Sequence, residues 1–268
     1  MKKILMILMI TLSAVMAFAT GSNEASEGDN SLKYIQDKGV FVLGLDDSFP
    51  PMGFRDENGE VAGFDIDLAK EVCKRMGVEL KMQPIDWDAK ILDLNSKDID
   101  VIWNGLSISD ERKEKISFSK PYIANRQIII VQAASGIDTK ADLADQKVGV
   151  QLGSTADDAV NSDEATVATL NELVKFQDNI QALMDLEVGR IDAVVVDEIL
   201  GRYYISKKPG VYDVAKEDFA AEEYGIGFRK GEDAFVAEVN RIMDEMVKDG
   251  SAAAISKKWF AEDILLER

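Results

Sequence analysis

Short β-branched runs alternate with segments of helical periodicity along most of this chain, and a chain patterned that way folds as an α/β protein with largely parallel sheets. Val40 to Leu45 reads as a buried strand that stops at Asp46 Asp47 Ser48, before Pro50 Pro51. Met52 to Phe54 and Val61 to Phe64 flank a turn at Asn58 Gly59, which predicts a hairpin. Asp65 to Met76 follows as an amphipathic helix closed by Gly77, and Val78 to Gln83 as the next strand. The acids of the hairpin turn lack the spaced ligands and terminal Glu of a calcium loop, so they read as turn residues.

A weak internal echo suggests two similar units. Ile91 Leu92 Asp93 Leu94 leads into Asp98 to Trp103, and Ala182 to Leu186 leads into Arg190 to Val196. Each is a helix turning through a polar break into a buried strand, so two lobes with one sheet each are expected.

The first nineteen residues stand apart. Lys2 and Lys3 precede an apolar run from Ile4 to Phe18, and Ala17 Phe18 Ala19 fits a cleavage site, which together read as a secretory signal peptide. Residues 20–30, rich in Gly, Ser, Asn and Glu, read as a flexible leader. Thr20 Gly21 Ser22 stands where a lipoprotein would need cysteine, so no lipid anchor is expected there and the product is expected to be periplasmic or secreted. The one cysteine, Cys73, falls on the apolar face Ile66, Ala69, Val72, Met76 and reads as a packing residue.

Charge and composition exclude several functions. A formal charge of −18 makes nucleic acid a poor partner. With no histidine, a Ser-His-Asp triad, a Cys-His dyad and a His-based metal site are impossible. No cofactor is indicated, since Gly153 Ser154 Thr155 lacks the Gly-Lys-Ser/Thr ending of a phosphate loop.

In open α/β sheets ligands bind beyond the carboxyl ends of the strands. That directs attention to Asp46 to Phe49, Asp86 to Asp88, Asn104 to Arg112, Gly153 to Ala156, and Asp197 Glu198. Ser109 reads as an N-cap, which puts Arg112 at the positive end of a helix, where it needs a negative partner. Either Asp110 and Glu111 neutralise it on a solvated surface, or its guanidinium grips a ligand carboxylate. Asp197 ends a buried strand and either caps the helix that follows or meets an ammonium group. Ser154 and Thr155 open another helix whose free N–H groups suit a carboxylate oxygen. Phe49 and Trp87 lie in loops and read either as core residues or as walls around a ligand.

From about Leu32 to Phe260 the chain resembles the type II amino-acid-binding proteins of ABC importers. The resemblance lies in Asp46 to Pro51, Gly63 Phe64 Asp65 Ile66 Asp67 Leu68, Asp86 Trp87 Asp88, Ile99 to Tyr122, Val148 to Thr155, Gly189 to Asp197 and Gly225 to Gly231. It implies a two-lobed venus-flytrap fold: residues 31–124 and 222–268 form lobe 1 and residues 128–217 form lobe 2, joined by crossover strands near Asn125 to Ile129 and Ala215 to Tyr224. It also implies that Arg112 holds the ligand α-carboxylate with the N–H groups of Ser107 and Thr155. Asp197 then holds the α-ammonium with the Gly105 carbonyl and the Ser107 hydroxyl. Asp46, Phe49, Trp87 and Asn104 occupy the side-chain pocket. Ser109, where threonine is usual, and Trp103, where a smaller aliphatic residue is common, depart from the pattern. A monomer that delivers its amino acid to membrane permease subunits is implied, not an enzyme. The rivals are a lyase or dehydratase on the same scaffold and a ligand-sensing receptor domain.

Overall fold

A computed structural model describes residues 28–268, so the signal peptide and most of the leader lie outside the described residues. Two five-stranded sheets organise the rest. In the first, Glu79–Pro84, Val40–Leu45 and Val101–Ile102 run parallel, and Gly227–Phe228 and Ser117–Phe118 continue the sheet antiparallel. In the second, Glu172–Phe176, Lys147–Gln151 and Ala193–Asp197 run parallel, followed by antiparallel Ile123–Gln132 and Tyr212–Tyr224. The two sheets repeat one plan, and the echoed sequences supply the same part of each. The helices Lys90–Asn95 and Asn179–Glu187 lead into Val101–Ile102 and Ala193–Asp197, each the third strand of its parallel set.

Sequence dictates most of these elements locally. Phe64–Met76 ends where Gly77 adopts φ +77°, with its N–H on the Cys73 carbonyl, as a left-handed glycine cap does. Its inner face buries Ile66, Ala69, Val72 and Cys73 completely or nearly so. The hairpin forms as expected, Gly53–Arg55 pairing antiparallel with Val61–Ala62, and Asp56 spends its carboxylate on the Asn58 and Glu60 N–H groups. The long helix Asp233–Lys248 buries Phe235, Val239, Ile242, Met243 and Met246, a stripe at helical spacing. Phe235 meets Phe41 and Phe228 edge-on at 5.4 and 5.2 Å, which fixes this late segment against the first strand.

The two longest strands, Ile123–Gln132 and Tyr212–Tyr224, pair antiparallel along most of their length. They carry the chain into the second sheet and back out of it, so the first sheet is built from both ends of the described chain. Single bridges, Ser107 to Tyr224 and Ile123 to Leu265, tie their near ends to the first lobe. Trp103, which follows the strand Val101–Ile102, is fully buried and packs edge-on against Tyr122 with ring centres 6.5 Å apart.

Candidate ligand site

Hydrogen bonds join the loops beyond the strand ends of both sheets, and all ten residues read from sequence as site candidates are buried. Arg112 lies in the short helix Asp110–Lys115, whose N-cap Ser109 accepts the Arg112 N–H at 3.2 Å. Its guanidinium donates to the Ser107 carbonyl at 2.9 Å and to the Gly153 carbonyl at 3.2 Å. The solvated-surface reading of Arg112 therefore fails: the side chain is 5% exposed, and Asp110 and Glu111 pair with Lys113 and Lys115 instead. Burial lowers its pKa from the usual arginine value, and Asp158 is the strongest of the opposing charges.

Asp197 closes the strand Ala193–Asp197, and its side chain caps no helix. Instead, one carboxylate oxygen accepts from Asn125 Nδ2 at 2.5 Å, Tyr224 Oη at 2.8 Å and Gln127 Nε2 at 3.1 Å. Burial, and after it the charge of Glu222, raises this carboxyl to about 7, so the group is short of positive partners.

Ser107 does not simply await a ligand, since its hydroxyl donates to Glu222 Oε2 at 2.6 Å. Thr155 Oγ1 accepts from Gln127 at 3.2 Å, and the Thr155 N–H lies in the first turn of Thr155–Ser162, where an α-helix has no acceptor of its own. Ser154 caps that helix by accepting the Asp157 N–H, so its side chain is already engaged. The Gly105 N–H is held by buried Asp65 at 2.7 Å, which leaves the Gly105 carbonyl in a fixed loop. Gly105 has φ +58°, and a Cβ there would stand 2.8 Å from Phe49 Cε1, so the loop and the Phe49 ring are fitted to each other.

In the side-chain pocket the picture is mixed. Asp46 is committed, accepting from Ser48 N and Oγ and, across the cleft, from Gln151 Nε2 at 2.7 Å; burial pushes its carboxyl upward. Trp87 packs into a cluster with Val42, Leu94 and Ile99. Asn104 is 1% exposed, and neither its Nδ2 nor its Oδ1 has a partner among the described residues. A buried amide with two unmet atoms is costly unless something binds it.

Several residues here carried no signal that the sequence reading used. Lys90 is 4% exposed, donates to the Trp87 and Gly153 carbonyls at 2.8 Å each, and stands 4.9 Å from the centre of the Trp87 ring. Burial first, and Arg112 second, lower it to about 7. A lysine at the i+3 position of the apolar set Trp87, Ile91, Leu94 is a visible clue to burial. Asn125, Gln127, Gln151 and Glu222 gave no local clue, because each becomes a site residue only through pairing of distant strands.

Among the described residues, hydrogen bonds that cross between the lobes join Asp46 to Gln151, Lys90 and Arg112 to the Gly153 carbonyl, and Tyr224 to Asp197. The cleft is thus closed, and Arg112 and Asp197 are buried with no ion pair among the described residues. The family of bacterial extracellular solute-binding proteins, family 3, matches residues 41–262. This chain belongs to that family. The L-cystine-binding protein TcyJ of Escherichia coli (strain K12) is 35% identical over 258 residues, covering 94% of this chain and 96% of its own. A solved substrate-binding protein of an ABC uptake transporter from Streptococcus pneumoniae, with bound histidine, superposes with a TM-score of 0.86 at 36% identity, covering 90% of this chain and 99% of that one. The ancestral amino acid-binding protein AncCDT-1, a precursor of cyclohexadienyl dehydratase, gives 0.79 at 35% identity, covering 86% and 99%. The two-lobed fold implied by the resemblance to type II amino-acid-binding proteins is therefore the fold of this chain.

Proposed function

We propose that this chain is the binding component of an amino acid ABC importer, closing around one free, polar L-amino acid between its lobes. The observation that carries this reading is the pair of unmatched charges in one closed cleft: among the described residues, Arg112 meets carbonyl acceptors and no carboxylate, and Asp197 meets neutral donors and no cation. A zwitterion supplies the carboxylate that the first lacks and the ammonium that the second lacks. Lobe 1 contributes Arg112, Ser107 and the Gly105 carbonyl; lobe 2 contributes Asp197 and the Thr155 N–H. Because the ligand touches both lobes only when they meet, it stabilises the closed state over the open one.

The unpartnered Asn104 amide favours a side chain that both donates and accepts. Asp46, already bound to Ser48 and Gln151, does not by itself select a cationic ligand. Membrane permease subunits would then receive the amino acid from the closed form. The dehydratase reading draws support from the likeness to AncCDT-1, but the Arg112 and Asp197 pair suits an amino acid better than a keto acid, which has no ammonium.

The test is a thermal-shift screen of the protein lacking residues 1–19 against the twenty amino acids, ornithine, citrulline and cystine, since a ligand that binds only the folded state raises its melting temperature. A rise with a few polar amino acids that Arg112→Ala abolishes is expected. No rise with any of them would refute the proposal.

A further inference from the structure

Glu222 lies on the long strand Tyr212–Tyr224, where the chain returns to the first lobe, and shares its surroundings with Asp197. Gln127 Nε2 donates to both carboxylates, at 3.1 Å to Asp197 and 2.9 Å to Glu222. Asn125 Nδ2 does the same at 2.5 and 3.3 Å. Two amides from one strand thus hold two carboxylates side by side, and neither carboxylate forms an ion pair among the described residues. Like charges brought this close repel unless a cation joins them. The Arg112 guanidinium, whose charge Asp197 feels, is spent on the Ser107 and Gly153 carbonyls, and Arg126 on Glu198 and Asp218.

The Ser107 hydroxyl decides what the arrangement does. A hydroxyl has one proton and two lone pairs, and here the proton is committed to Glu222 Oε2 at 2.6 Å. The Ser107 oxygen is therefore left as an acceptor only. An acceptor beside Asp197 and the Gly105 carbonyl suits an ammonium group, which has three donors and no acceptor.

We propose that Glu222 is a positioning residue for the ligand ammonium: it turns the Ser107 proton away so that the oxygen accepts from the ammonium, and it adds a second negative charge behind Asp197. This rests on the zwitterion reading above. The consequence is selection of ligand class, because a 2-hydroxy or 2-oxo acid would meet an acceptor-only Ser107 and two carboxylates with no cation to offer. The carboxylate pair also ties affinity to pH. Asp197, raised to about 7 by burial and then by Glu222, must be ionised to hold the ammonium. The groups around it are Asn125 and Gln127 from its neighbouring strand, Glu222 and Tyr224 from the strand beyond, Ser107 through Glu222, and the charge of Arg112.

The test is calorimetric titration of the protein with L-cystine, L-arginine and L-histidine at several pH values from about 5.5 to 8.5, for the unmodified chain, Glu222→Gln, Ser107→Ala, their double variant and Asp197→Asn. Glu222→Gln is expected to raise Kd about tenfold to a hundredfold at neutral pH, the range for losing a contact to a charged group. The pH at which affinity is lost should move lower, because Asp197 no longer has a charged neighbour. The Ser107 and Glu222 effects should be less than additive in the double variant, since the two groups act through one hydrogen bond, while the shift of the pH profile is the readout a purely structural role would not move. An unchanged Kd and pH profile in Glu222→Gln, beside loss of binding in Asp197→Asn, overturns this inference alone. Where none of the three binds the unmodified chain, the amino acid giving the largest thermal shift in the screen above is titrated in their place; no shift with any amino acid of that screen overturns the amino-acid reading and this inference with it.

Discussion

Replacing Arg112 with methionine separates the ligand-holding role of this side chain from its structural one. The guanidinium is 5% exposed and bonds two carbonyls at 2.9 and 3.2 Å, so Arg112→Met removes two neutral-acceptor hydrogen bonds and one desolvated charge. Each such bond contributes a net ~1 kcal/mol, and removing the buried charge offsets part of that loss. The melting temperature without ligand should therefore shift by only a few degrees, at roughly 2–4 °C per kcal/mol for a chain of this size. Binding should respond far more strongly. Truncating one partner of a buried, hydrogen-bonded charge pair costs about 2–5 kcal/mol. At 1.4 kcal/mol per factor of ten, Kd should rise roughly 30-fold to a few thousandfold. Arg112→Lys, which keeps the charge but not the planar fork, should fall between the two. Isothermal titration with the best ligand of the screen, beside thermal unfolding without ligand, gives both numbers. A Kd for Arg112→Met within about threefold of the unmodified protein, at any melting temperature, would refute the carboxylate role, because a methionine makes no charged contact.

Other perturbations test the closed cleft and its buried acids. At Gly153, φ is +70° and a Cβ would stand 3.0 and 3.1 Å from Asp88 Cα and Cβ across the cleft, so Gly153→Ala should hold the lobes apart. A Kd raised more than about tenfold and a larger radius of gyration with ligand by X-ray scattering are expected, beyond the ~1 kcal/mol of backbone strain; an unchanged radius with ligand would contradict this closure geometry. Lys90→Met removes the bonds to the Trp87 and Gly153 carbonyls while keeping a linear side chain, and should weaken ligand binding about fivefold to fiftyfold, one to two net hydrogen bonds, as read by the dissociation rate. Asp65 is fully buried and raised to about 7 by burial, against Gly105 and Tyr122 donors that pull it down. The folded chain then holds a proton that the unfolded chain releases near pH 4, so this contribution to stability is full below about pH 4 and lost as pH rises through about 7, by up to roughly 1.4 kcal/mol per pH unit. Asp65→Asn should flatten urea-unfolding midpoints measured across that window, and an equal slope in both proteins would show that Asp65 does not carry the effect.

The sequence by itself determined what local physics governs. Alternating periodicities specified strands and helices, Gly77 and Ser109 marked their ends, and Asp46, Arg112, Thr155 and Asp197 stood out because each follows or caps an element at a strand's carboxyl end. The echo of helix and strand around Asp93 and Asp185 became two sheets of one plan, because each repeat must bury an apolar face of its own. Local sequence left Arg112 with two environments and Asp197 with two roles, since a cap and a ligand contact look alike within four residues. Tertiary structure removed the solvated-surface reading of Arg112 by burying it apart from Asp110 and Glu111, and the capping reading of Asp197, whose carboxylate meets Asn125, Gln127 and Tyr224 instead. It also supplied Lys90, Asn125, Gln127, Gln151 and Glu222, whose partners are 63, 72, 70, 105 and 115 positions away. Such pairs are set by strand register and lobe closure, and neither leaves a trace in the residues flanking them.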